Sequence, residues 1–103
     1  MDMFAALADP TRRTIIEMLS DNGQLSASDI YNHFNVSHPA ISQHLKILRE
    51  SKLVDMEKRA QQRLYQVNPE AVSEIEFWIA KVKKQWNNRF DILNKVIKEG
   101  VGK

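Results

Sequence analysis

Apolar positions in residues 37–49 recur with the spacing of a helix. Ile41, Leu45 and Leu48 fall at i, i+4 and i+7 and predict one buried stripe. Ser37 offers a side-chain oxygen to cap the first turn, and Pro39 is tolerated there because those donors lack intrahelical partners. A rotation of about 100° per residue puts Pro39, Gln43, Lys46 and Glu50 opposite the stripe, with His38 and Ser42 beside them and His44 on the flank. That face carries amide, hydroxyl, imidazole and ammonium groups; by itself it suits an ordinary amphipathic surface helix equally well.

Upstream, Met3, Phe4 and Leu7 predict a short helix ending near Ala8. Asp9-Pro10 reads as a cap with proline at the first helical position. It opens a second helix whose buried side is Ile15, Ile16, Met18 and Leu19 and which stops at Asn22-Gly23. Ser26 and Asp29 have capping-box spacing and open a third helix to about Phe34, and Asn35-Val36 then turns into the helix at 37–49. Two short helices joined by a tight turn, the second with a polar outer face, predict a helix-turn-helix over residues 26–50.

After Ser51-Lys52 the period changes. Residues 53–58 and 63–67 alternate roughly, with Arg59-Ala60-Gln61-Gln62 between them, and predict a β-hairpin over 53–67 packed on the helices. Such a hairpin directly behind a helix-turn-helix is a wing. Lys58, Arg59 and Arg63 sit where a wing meets the phosphate backbone or the minor groove, although such charges also serve to blunt exposed strand edges.

Asn68-Pro69-Glu70 opens a long helix to about Glu99. Val72, Ile75, Ile79, Val82, Trp86, Phe90, Leu93 and Ile97 follow one another at intervals of 3, 4, 3, 4, 4, 3 and 4, and Phe77, Trp78, Ile92 and Val96 widen the seam. About thirty helical residues span roughly 45 Å, more than a small domain needs for its own core. The surplus predicts a homodimer, with Phe4 and Leu7 joining the interface. Residues 1–8 and 69–99 are thus read as dimerisation helices, and Gly100-Val101-Gly102-Lys103 as a frayed tail. The whole is expected to be one domain over 1–103, mainly α with a two-stranded β-hairpin wing, in the order α-α-α-α-β-β-α.

Composition narrows the chemistry. A chain of 103 residues, 43% hydrophobic and 27% charged, suits one folded domain with a small core. Fifteen Lys and Arg against thirteen Asp and Glu leave a net charge of +2, so only the placement of charge carries an argument for nucleic acid. The absence of cysteine excludes disulfides, thiolate metal sites and thiol redox sensing. Met1-Asp2-Met3-Phe4 carries an acid and no long apolar run follows. Neither a signal peptide nor a membrane span is therefore expected, and a cytoplasmic location is. No nucleophile–base pair, glycine-rich phosphate loop or carboxylate cluster suggests an enzyme. His38 and His44 point about 120° apart and cannot chelate from one helix face, and His33 alone reads as a half-buried helix residue, so no metal or cofactor is expected.

Ala5-Ala6-Leu7-Ala8-Asp9-Pro10-Thr11-Arg12-Arg13, the run from Ile41 to Leu48, Leu53-Val54 and Tyr65 together resemble the ArsR family of bacterial repressors. Trp78-Ile79 and the run from Trp86 to Leu93 resemble one branch, whose members are often encoded beside SRPBCC-type, START-like lipid-pocket proteins. The resemblance implies a homodimeric winged helix-turn-helix repressor that binds an inverted repeat and often controls its own promoter. Many members release DNA when a metal binds, and this chain departs from them. Ser26-Ala27-Ser28 stands where cysteine-using sensors carry Cys-Val-Cys, and no histidine follows His44 to build the site of another subgroup near the last helix. Ala60-Gln61 replaces the Gly-Arg that relatives commonly place at the wing turn, which removes a phosphate contact and a residue at ease with positive φ.

Double-stranded DNA and a second copy are thus the expected partners, with no membrane and with any small-molecule or protein effector unassigned. Gln43 is expected to read a base, because its amide donates and accepts together at adenine N6 and N7. Ser42, His38 and His44 are secondary readers or phosphate contacts, Ser37 holds a phosphate at the helix N-terminus, and Lys46, Lys58, Arg59 and Arg63 position the backbone. Arg12 and Arg13 reach for the DNA backbone or pair with Asp9 and Glu17. The competing classes are a protein-interaction module that kept the fold and lost specific DNA binding, and a metal- or ligand-responsive sensor with an unrecognised site.

Overall fold

Side-chain caps open the helices. The computed structural model describes residues 1–101, apart from the side chains of Ile92, Val96 and residues 98–101. Helix α1 (Met3–Ala6) begins where the Asp2 carboxylate accepts the Ala5 N–H at 2.8 Å. It ends at Ala6, short of Ala8, because Asp9 must already be extended to cap the next helix. Helix α2 (Pro10–Asn22) opens on Asp9, which accepts the N–H groups of Thr11 and Arg12 at 2.8 and 3.1 Å, and closes on Gly23 at φ 80°. Helix α3 (Ala27–His33) has the reciprocal capping box expected of Ser26 and Asp29, with bonds of 3.1 and 3.3 Å. Helix α4 (His38–Glu50) opens on Ser37, which accepts the Ala40 N–H at 3.3 Å.

The sheet has three strands where two were expected. Strands β2 (Val54–Arg59) and β3 (Gln62–Val67) form the hairpin, and a two-residue strand β1 (Leu25–Ser26) pairs antiparallel on the far side of β3, giving the order β1-β3-β2. The hairpin loop is Ala60-Gln61 alone, because Arg59 pairs with Gln62. Ala60 takes the left-handed conformation (φ 57°) that this tight loop demands, in place of glycine. Helix α5 (Pro69–Val101) includes Gly100 and Val101, so those two are helical rather than frayed; Gly102 and Lys103 lie outside the described residues.

The chain forms two compact units, Met1–Val72 and Ser73–Lys103. The first has a core of Ala6, Ile15 and Leu19, Ile30, the α4 stripe Ile41, Leu45 and Leu48, then Leu53, Val54, Tyr65 and Ala71. Each such large side chain contributes about 1.5–3 kcal/mol by leaving water. Ile16 and Met18 are only half-buried, so the packed side of α2 is narrower than its sequence suggests. In the second unit Trp86 and Phe90, one turn apart on α5, meet edge to face with centroids 5.1 Å apart.

Candidate nucleic-acid interface

Burying Ile41, Leu45 and Leu48 turns the opposite side of α4 outward. His38, Ser42, Gln43 and Lys46 are all exposed there, as the periodicity requires. Gln43 makes no side-chain hydrogen bond among the described residues, so its amide is available to a partner. Lys46 stands 4.0 Å from Glu50, both side chains about two-thirds exposed, a pair too solvated to hold the ammonium back from a phosphate.

A residue that periodicity did not point to completes this face. Tyr31 of α3 places its hydroxyl 2.6 Å from Ser42 Oγ and stacks its ring on His38, with centroids 4.5 Å and planes 11° apart. An aromatic residue three positions before the turn of a helix-turn-helix is the signal available in the sequence, but nothing local shows which way it faces. His33 is exposed rather than half-buried and meets Phe34 edge to face.

His44 turns toward α2 instead. Its Nδ1 lies 3.2 Å from the Arg12 guanidinium and 4.0 Å from Asp9. A guanidinium only donates, so Nδ1 accepts and the ring proton is placed on Nε2. Arg12 itself is buried: Nε donates to the Ala6 carbonyl at 2.6 Å and a terminal nitrogen to Ala5 at 3.5 Å. Arg13 donates to the Leu7 carbonyl at 2.6 Å. Both arginines therefore close the end of α1; Arg12 is shut away from DNA, and neither pairs with Asp9 or Glu17. The reason is local, since α1 ends with carbonyls that no further turn of helix can satisfy. Burial raises the Asp9 carboxyl, but the Arg12 N–H, the charge His44 carries when its ring is protonated, the Thr11 N–H and the Arg12 charge outweigh it and hold Asp9 below its ordinary value.

On the wing, strand alternation separates the cations. Val54, Met56 and Lys58 share one face of β2, opposite Val67, Tyr65 and Arg63. Because Val54 and Tyr65 are buried, Lys58 and Arg63 continue the helix-facing side of the hairpin as a directly opposed pair of like charges. Arg59 is on the other face, 3.2 Å from Glu57. Gln61, Gln62 and Arg63 line a groove of about 270 Å³ with Ser26, Ala27, Ser28 and Tyr31. No group of three His, Asp or Glu close enough to hold a metal occurs among the described residues.

A polar-faced helix set by a tight turn behind α3, with a hairpin bearing three cations beside it, defines a winged helix-turn-helix DNA-binding protein. The comparisons agree. Residues 9–56 match the family described as "Bacterial regulatory protein, arsR family". The chain is 33% identical over 87 residues to the transcriptional repressor SdpR of Bacillus subtilis, covering 84% of this chain and 96% of that one. It is 35% identical over 88 residues to the arsenical resistance operon repressor of Staphylococcus xylosus, covering 85% and 73%. Among solved structures, an ArsR-like transcriptional regulator from Rhodococcus superposes with a TM-score of 0.75 at 28% identity, covering 95% of this chain and 88% of that one. The chain belongs to the ArsR family. It is a DNA-binding transcriptional regulator, and its relatives and fold neighbours are regulators rather than enzymes. No helix among the described residues is long and apolar enough to cross a membrane.

Proposed function

We propose that the chain is a cytoplasmic homodimeric repressor, residues 1–103 acting as one module that binds an inverted repeat and controls its own promoter. The observation that carries the dimer is the apolar seam of α5. Ile79, Val82, Trp86, Phe90, Leu93 and Ile97 lie at heptad-like spacing and are each between 42% and 57% exposed. An apolar stripe left this open on a single helix is the signature of a partner surface. Val72 (45% exposed) and Ile75 extend the seam toward its start, and Phe4 of α1 and Leu7, which caps α1, are proposed for the dimer interface as well. Ile92 and Val96 lie outside the described side chains.

In this reading Gln43 reads a base edge, Ser42 and His38 add contacts beside it, and Ser37 with the first-turn N–H groups of α4 holds a phosphate. Lys46, Lys58, Arg59 and Arg63 position the duplex. Two copies of α4 held by the α5 seam would enter successive major grooves about 34 Å apart on a palindrome. SdpR and the arsenical resistance operon repressor are both named as repressors, which supports the direction of control. Sedimentation and gel shift with the region upstream of the chain's own gene test the proposal together. Ile79→Glu and Val82→Glu should each give a monomer that no longer retains the palindrome. A monomeric variant that still binds it tightly refutes the dimer mechanism, and a wild-type chain that retains no duplex at low salt favours an interaction module instead.

A further inference from the structure

We infer that Tyr31, a residue of α3 outside the reading helix, sets the sequence specificity of α4 by fixing what Ser42 presents to a base. The inference rests on the DNA-reading role proposed for α4. One side chain holds two readers: the phenol oxygen is 2.6 Å from Ser42 Oγ and the ring stacks on His38. Ser42 and His38 are four residues apart and both exposed, so they stand on one open face of α4. Tyr31 is half-buried behind them.

The hydrogen bond has a chemical direction. A phenol is a far stronger acid than an aliphatic alcohol and is the better donor. On that ground Tyr31 is assigned as the donor to Ser42 Oγ, which leaves the Ser42 proton to point away from Tyr31. A serine with no such partner rotates to donate or accept at will. Held by Tyr31, it is a donor with one lone pair already engaged. In the major groove that polarity favours guanine O6 and N7, adenine N7 or thymine O4 over the amino group of cytosine. The stack on His38 limits the imidazole to planes parallel to the phenol, so neither reader has to be ordered by the DNA itself. Tyr31 is thus a positioning residue that acts through Ser42.

Tyr31→Phe keeps the ring and removes only the hydroxyl. Wild type, Tyr31→Phe, Ser42→Ala and the double variant should each be used to select bound duplexes from a randomised pool, with thermal midpoints measured alongside. Wild type is expected to prefer an acceptor-bearing base at one position per half-site. Tyr31→Phe should reduce that preference on the order of fivefold at that position alone. Ser42→Ala should abolish it, and the double variant should match Ser42→Ala. Salt dependence should be the same in all four, whereas loss of a purely structural contact would lower affinity for every duplex and track the midpoint. A Phe variant that selects the same bases with the same strength, or weakens all duplexes equally, overturns the inference while leaving the DNA-reading role intact. A wild-type chain that selects no sequence refutes that role, and the inference with it.

Discussion

Lys52 and Ala60 hold positive φ angles of 64° and 57° without being glycine. Lys52 follows the last turn of α4: its N–H bonds Arg49 and the Leu53 N–H bonds Leu48, both at 3.0 Å, the two bonds of a Schellman close. Ala60 is the first residue of the two-residue wing loop. A left-handed L-residue costs roughly 1–2 kcal/mol, and glycine returns part of that as unfolded-chain entropy. Ala60→Gly should therefore raise stability by about 0.5–1 kcal/mol in denaturant titrations and leave DNA affinity unchanged. The break at the wing is plain in the sequence, but its width is not. Alanine argues against so tight a loop, and only the pairing of Arg59 with Gln62 overrides that preference. Gln43 is the opposite case, readable from periodicity alone. Gln43→Ala should cost about 1–3 kcal/mol at one base pair per half-site in competition binding, with little loss on scrambled duplex.

Elements differ in how far their causes lie along the chain. The caps at Asp9, Ser26 and Ser37 are legible because donor and acceptor are two or three residues apart. Strand β1 is not, because Leu25 and Ser26 become a strand only where Tyr65 and Leu64 pair with them. The role of Arg12 is equally hidden, since its acceptors on Ala5 and Ala6 matter only once α1 stops there. Arg12→Ala should cost about 1.5–3 kcal/mol, the worth of hydrogen bonds to a charged group, and raise hydrogen exchange in residues 3–6. Arg12→Lys should not rescue it, because an ammonium lacks the planar fork that meets several acceptors at once. Asp9 adds a pH dependence at the same junction. Its folded value is lowered, so its stabilisation is present above the ordinary aspartate range and is lost as pH falls through the folded value. Asp9→Asn keeps a capping oxygen and should flatten the acid limb of stability, seen as thermal midpoints that change less with pH below about 4.

For the whole molecule, a net charge of +2 says little, and the fold decides which cations meet the duplex. Lys58 and Arg63 face each other across the hairpin on its helix-facing side, a placement that costs stability unless an anion lies between them. Arg59 points the other way and is partly answered by Glu57, both side chains substantially exposed. The sequence shows three basic residues near the wing; only strand register separates the opposed Lys58 and Arg63 from the Arg59–Glu57 pair on the other face. The dependence of affinity on salt measures this directly, because each neutralised phosphate contributes about 0.9 to the slope of log K against log salt. Replacing Lys58 and Arg63 together by Gln should lower that slope by about 2 per protomer, and about 4 for a dimer on its palindrome. Arg59→Gln should lower it by less than about 1 per protomer, and Glu57→Gln should steepen it by freeing the Arg59 charge. If the double variant and Arg59→Gln flattened the slope equally per charge removed, the wing would be a diffuse basic patch rather than a faced one. If the double variant flattened the slope on the palindrome by about 2 rather than about 4, only one wing of each dimer would meet the duplex.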